Sequence, residues 1–220
     1  MEHRDSWDRS VPLAAPVSAP AAAGLMTAYD DGVRAVLKIA AGFTQAAWEF
    51  PTPCEEWRAA DLAAHLRCVA EDYHEYLDEA PESRLSKLLA SGAPGPSIAR
   101  KLARQNAAEL AVLPEAMPDR HIAAFARSAA SYAIRVTPLL DLPHHSYRGR
   151  VITVAGMAGA ACVEWHVHAW DLAGALGLDY RPARPEYVRA AWLAGIAQVP
   201  LQPHDDPWVA VLRSSGRTAG

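Results

Sequence analysis

Residues 153–177 read TVAGMAGAACVEWHVHAWDLAGALG. Thr153 is a good helix N-cap and Gly177 a good stop, so the spacing predicts one helix from Thr153 to about Leu176. Met157, Ala161, Glu164, His168 and Leu172 recur at steps of three and four and share one face. That face is apolar except for Glu164 and His168. Polar groups on an apolar stripe are the informative exceptions. As an i, i+4 pair with Cβ atoms about 5–6 Å apart, the two side chains point inward together.

Working outward, the same periodicity predicts three more long helices. Leu25, Tyr29, Val33, Val36, Ala40 and Phe43 define one over about 25–48, stopped by Phe50-Pro51-Thr52-Pro53. A second follows Trp57, with Leu62, Leu66, Val69, Tyr73 and Tyr76 in one stripe, and ends near Pro81. Ser91–Pro96 is a breaker cluster. Ser97 then caps a shorter helix closed by Pro114 and Pro118. Asp119 caps the third long helix, with Ile122, Phe125, Ala129, Ala133 and Val136 inside, and Pro143 ends it. Residues 143–152 read as irregular and polar. One further helix is expected over 185–199, and Trp208–Arg213 reads as a short strand or a packed tail. The expected fold is all-α, a four-helix bundle with an extra C-terminal helix and a short tail. Residues 1–23, rich in Pro and Ala, read as a flexible tail, and 24–220 as a single domain.

Composition agrees. The chain has 220 residues, enough for a core without disulfides. Ala, the strongest helix former, occurs 46 times. Lys and Arg number 21 against 25 Asp and Glu, a net charge of −4. No basic excess exists to neutralise phosphates, so nucleic acid is not the expected partner. No apolar run reaches the ~18 residues a membrane span needs. Cys54, Cys68 and Cys162 form no disulfide framework and read as small buried hydrophobes. The acidic, Pro-interrupted start makes a poor signal peptide. The expected setting is the reducing cytoplasm.

His65 lies three residues after Leu62 and four before Val69, so it faces the core from the second helix. With Glu164 and His168 it would make a three-ligand site with an open position, as catalytic zinc uses. On pattern alone a buried Glu–His hydrogen bond competes with this reading, although a buried carboxylate does need a cationic partner. His166 points roughly 200° from His168 on a helix, away from the pair. His144-His145 reads as a solvated loop pair. Asp61 and Asp171, each one turn from a candidate ligand, could bond a ligand histidine or simply be solvated. Trp57 and Trp170 read as core or rim aromatics.

Trp48-Glu49-Phe50-Pro51-Thr52-Pro53-Cys54-Glu55-Glu56-Trp57, then Asp61-Leu62-Ala63-Ala64-His65-Leu66, resembles the start of the mycothiol-dependent maleylpyruvate isomerase family. So does Glu164-Trp165-His166-Val167-His168-Ala169-Trp170-Asp171-Leu172. That family lies within the DinB-like superfamily of metal-binding four-helix bundles. The resemblance implies a divalent metal ion, zinc by preference, on His65, Glu164 and His168, with mycothiol as a thiol cosubstrate. It implies a thiol activated for addition to a small electrophile, giving cis–trans isomerisation or S-transfer. Ser215-Gly216-Arg217 is similar to the Gly-Arg ending of related chains, which place an arginine near the site. Arg217 is therefore the first candidate partner for a substrate carboxylate, with Arg148 and Arg150 next. The tail after Gly177 is short for a full isomerase. A thiol-independent Lewis-acid enzyme of secondary metabolism and a non-catalytic metal-binding bundle stand as alternatives. A homodimer remains an open option.

Overall fold

A computed structural model describes residues 19–54, 57–79, 83–91, 93, 95–113, 117–196 and 198–217. Four long helices form the bundle: α1 (Ala19–Ala40), α2 (Ala59–Asp78), α5 (Pro118–Val136) and α6 (Val154–Ala175). α1 packs against α6 and α5, and α2 against α5 and α6, so α2 and α6 are neighbours. Between α2 and α5 lie α3 (Arg84–Ala90) and α4 (Gly95–Val112). A hairpin, β1 (Pro143–Tyr147) and β2 (Arg150–Thr153), leads into α6. α7 (Pro185–Gly195) packs on α6 and α1, and α8 (Pro207–Ser214) packs on α7. No described helix is long and apolar enough to cross a membrane.

α6 is the axis of the molecule. Seventeen of its 22 residues are buried. Such a helix is apolar all round because it touches neighbours on every side. Thr153 caps it as expected, its Oγ1 accepting from the Gly156 N–H at 3.3 Å. A cap of this kind contributes about 1 kcal/mol. Gly177, at φ +66°, ends it in the left-handed region that glycine tolerates. Trp165 on α6 is fully buried and meets Tyr29, Tyr73 and Phe125 edge-on at 6.0, 5.9 and 4.9 Å, so one ring joins all four bundle helices. Toward α7 the seam is glycine-made. A Cβ on Gly195 would lie 2.0 Å from the Gly156 carbonyl oxygen. Only the missing side chains let the two backbones approach that closely.

Several local expectations change. α1 begins at Ala19, so residues 19–23 of the expected tail are helical, and residues 1–18 lie outside the described residues. Pro20 sits in the first turn, where its missing N–H would have had no helical partner. α1 also stops at Ala40, and a separate 3-10 turn covers Ala47–Glu49. The stretch 208–213, read as a short strand or a packed tail, is helix α8, packed on α7. Asp206 caps it, accepting from the Trp208 and Val209 N–H groups at 2.8 and 3.2 Å, and Pro207 occupies the first turn. α7 ends at Gly195 rather than at 199. α3, capped by Ser83, had no counterpart in the sequence reading. Residues 143–152 are not irregular. Arg148 and Gly149 both have positive φ, +50° and +78°, the backbone a tight two-residue hairpin turn requires.

Candidate metal centre and cavity

α2 contributes His65 and α6 contributes Glu164 and His168. One potential ligand atom from each lies within 4.8 Å of the others. The two imidazoles meet edge to face at 5.1 Å between centroids. His168 Nε2 is 3.2 Å from Glu164 Oε2. On its other side, His168 Nδ1 donates to Asp171 Oδ2 at 2.9 Å. An ionised carboxylate can only accept, so Nδ1 carries the proton and Nε2 is turned to the site. Asp171 has no exposed surface. It is held in turn by Arg217, whose Nη2 donates to Oδ2 at 2.7 Å and whose Nε donates to Oδ1 at 3.3 Å. Arg217 Nη1 donates to the Ser215 carbonyl at 2.8 Å.

The protonation states follow from these contacts. Burial, and then the adjacent His168, push His65 down to about 3, so it is neutral. Burial raises Glu164, but the hydrogen bond and charge of His168 outweigh it, and the carboxyl stays below its usual range. Burial opposes the charged form of His168 too. Asp171 and Glu164 on either side reverse that and raise it. Asp171 is likewise lowered, because His168 and Arg217 outweigh its desolvation.

The three ligand candidates open onto a cavity of about 550 Å³. Glu164 keeps 39% of its side chain accessible, on the cavity side. Trp57 lies against His65, ring centroids 4.6 Å apart, and Cys54 and Arg217 complete this end. The rest of the wall is mostly apolar and comes from α2, α3, α4, α6 and α7, with His145 from β1. One imidazole already neutral, a second whose Nε2 proton a metal ion would displace, and one carboxylate, converging at the edge of a water-accessible space, fit a divalent ion of the zinc type with a position left for a substrate atom.

The structure thus brings His65, Glu164 and His168 together and adds Asp171 as the partner of His168. Asp61 instead pairs with Arg58, accepting from its backbone N–H and its guanidinium at 3.0 Å. Arg217 reaches the site, but its fork is engaged by Asp171. Neither Arg148 nor Arg150 lines the cavity. Arg148 lies over the Tyr147 ring at 5.5 Å, and Arg150 donates to the Leu193 carbonyl on α7. Both are exposed because the hairpin turn projects them outward. His166 is buried on the opposite side of α6. Its Nε2 donates to the Ala28 carbonyl at 2.9 Å and its Nδ1 accepts from the Tyr180 hydroxyl at 2.6 Å. Trp57, read as a core or rim aromatic, stands in the site. Cys54 and Cys68 are only half-buried, and Cys54 lines the cavity. His144 and His145 are buried, 1% and 2% exposed, not solvated. The bulge between Pro143 and His145 removes the alternation that would have turned one of them outward.

Comparison with known families gives one match. The family model for the mycothiol maleylpyruvate isomerase N-terminal domain matches residues 29–173. These residues run from the middle of α1 to the last turn of α6 and include His65, Glu164 and His168. No curated protein and no solved structure gives a match.

Proposed function

Since the chain belongs to the mycothiol maleylpyruvate isomerase N-terminal domain family, with its DinB-like helical bundle, we propose that it is a metal-dependent enzyme that activates a low-molecular-weight thiol against a small electrophile. The observation that carries the reading is the convergence of His65, Glu164 and His168 at one end of a largely apolar cavity. These three would hold a divalent ion, zinc by donor type. When bound, the ion supplies Lewis acidity, which lowers the pKa of a coordinating thiol into the neutral range.

The chain's own residues do the rest. Asp171 holds a proton on His168 Nδ1, so that with an ion bound Nε2 would turn its lone pair to the site. Arg217 is a positioning residue. It clamps Asp171 by two nitrogens and ties the segment after α8 to the site. Trp57 and the apolar wall exclude water from a sulfur nucleophile and from an activated double bond. In the isomerisation, sulfur adds to one alkene carbon, the remaining single bond rotates, and elimination returns the thiol with the double bond inverted. If the thiol stays attached after its proton moves to the other carbon, the same addition is an S-transfer. Mycothiol is the thiol proposed.

Two measurements test this. Purified wild-type protein is expected to carry one equivalent of divalent metal by elemental analysis, and His65→Ala to lose it at least about tenfold. Full metal retention in His65→Ala would remove the triad. Turnover of a panel of activated cis-alkenes is expected to require added mycothiol. Turnover that is unchanged without thiol would favour plain Lewis-acid chemistry.

A further inference from the structure

The cavity has a second polar pole that the triad does not use. β1 carries His144 and His145 into the wall behind α2. His144 Nε2 is 2.9 Å from the Tyr76 carbonyl oxygen, which can only accept, so Nε2 bears the proton. Burial holds His144 neutral, down to about 4. Its Nδ1 therefore offers a lone pair, and that nitrogen is 2.9 Å from His145 Nδ1. The contact is a hydrogen bond only if His145 Nδ1 donates. His145 is neutral as well, pushed down to about 3 by burial and then by His144. Its second nitrogen, Nε2, must then be an unprotonated acceptor. No described residue donates to that atom, yet His145 is 98% buried and lines the cavity. The relay from the Tyr76 carbonyl through two imidazoles thus fixes the polarity of one atom facing the void.

This pole stands well away from the triad. Tyr76 lies 11 residues beyond His65 on α2, about 16 Å at 1.5 Å per residue. The wall between is mostly apolar, with Val69, Leu85, Leu89, Ile98, Leu102 and Met157, and the polar groups of Asp72 and Tyr73 interrupt it. Among the described lining residues Arg217 is the single Lys or Arg, and Asp171 already holds it. Asp72 accepts from the Tyr76 hydroxyl at 3.3 Å. A carboxylate at this end would meet the Nε2 lone pair with no proton of its own to offer. A hydroxyl would satisfy Nε2 directly.

We infer that the His145 end of the cavity is a recognition site for the hydroxyl group of an otherwise apolar substrate, whose reacting part points to the triad. The inference deepens the proposed function and rests on it for the direction of the substrate alone. Any ligand that fills the apolar end displaces the water that would otherwise bond Nε2. A ligand without a donor then leaves a buried acceptor unpaired, which discriminates by an order of magnitude or more.

The test uses 4-hexylphenol, 4-hexylanisole and 4-hexylbenzoate, with binding followed by the fluorescence of Trp57 and Trp192 in the cavity wall. On the full wild-type chain the phenol is expected to bind at least about tenfold more tightly than the ether or the carboxylate. In His145→Phe the phenol–ether gap is expected to close to within about threefold, with metal content unchanged. An ether that binds wild type as tightly as the phenol overturns the inference, and so does the absence of saturable binding by all three. A gap that persists in His145→Phe also overturns it. If His145→Phe does not fold, the wild-type ranking decides alone. His65→Ala separates the two readings. Failure of the metal reading appears there as retained metal, while the ranking stands. A ranking lost in His65→Ala but present in wild type puts the donor at the triad and overturns the His145 assignment.

Discussion

Replacing Asp171 by Asn is nearly isosteric and changes one thing, the number of acceptors. The carboxylate takes protons from His168 Nδ1 at 2.9 Å and from Arg217 Nη2 and Nε at 2.7 and 3.3 Å. Asn offers one oxygen and one NH₂. Whichever way the amide turns, its NH₂ meets either the His168 N–H or an Arg217 N–H. Arg217, 85% buried, would keep its charge and lose its hydrogen-bonded anionic partner. Breaking a buried pair from one side typically costs about 3–5 kcal/mol. In a chain of this size each kcal/mol shifts Tm by about 2–4 °C, so Asp171→Asn is expected to melt about 6–20 °C lower. His168 also loses the acceptor that fixes its tautomer, and metal affinity is expected to fall about 10–100-fold. The assays are thermal melting by circular dichroism without metal and a chelator competition for metal affinity. Arg217→Lys, which keeps the charge but loses the fork, is expected to fall between wild type and Asp171→Asn. A Tm within about 2 °C of wild type together with a metal Kd within about threefold would refute the relay. A lower Tm with unchanged metal affinity would mean that Asp171 anchors the C-terminal segment and does nothing for His168.

Gly195→Ala forces a Cβ to 2.0 Å from the Gly156 carbonyl oxygen, a contact that only backbone movement can relieve. It is expected to destabilise by at least about 1–3 kcal/mol in denaturant unfolding, and an unchanged midpoint would show that α6 and α7 can slide. Acid should destabilise the fold through His144, His145 and His166, which burial holds at about 4, 3 and 4 against about 6.5 in the unfolded chain. The unfolded state binds more protons below pH 6.5. Stability is therefore flat above that pH and is lost below it, by about 1.4 kcal/mol per pH unit for each histidine until its folded pKa is reached. Equal unfolding free energies at pH 7.5 and pH 5 would contradict the neutral, buried state of all three.

The convergence of His65, Glu164 and His168 was legible because these residues break a pattern. His65, Glu164 and His168 interrupt apolar stripes, and helical geometry converts that interruption into direction. The pairing of α2 with α6 then follows from the bundle. Contacts that depend on chain folding back are a different matter. Arg217 meets Asp171 across 46 residues, and periodicity along one helix carries no information about a partner that distant. The paired histidines were misread for a local reason. In a polar stretch two adjacent imidazoles look solvated, and only a bulge lets neighbouring strand residues both face inward. α8 was read as a short strand or a packed tail because its apolar run is short. The Asp206-Pro207 cap that starts it was the better signal. Nothing in the periodicity of α3 or α4 says that they wall a cavity.

Because α6 has no free side, the helix that carries Glu164 and His168 has almost no room to vary. Its neighbours differ in this respect. α3, α4 and the hairpin meet the triad only across the shared void, and their side chains can change size or polarity without moving a ligand atom. Drift and selection can therefore act on these two parts at very different rates. On the proposed function, a lineage built on this scaffold can exchange its substrate by revising Leu85, Leu89, Ile98, Leu102 or His145 while inheriting the His65, Glu164 and His168 cluster intact.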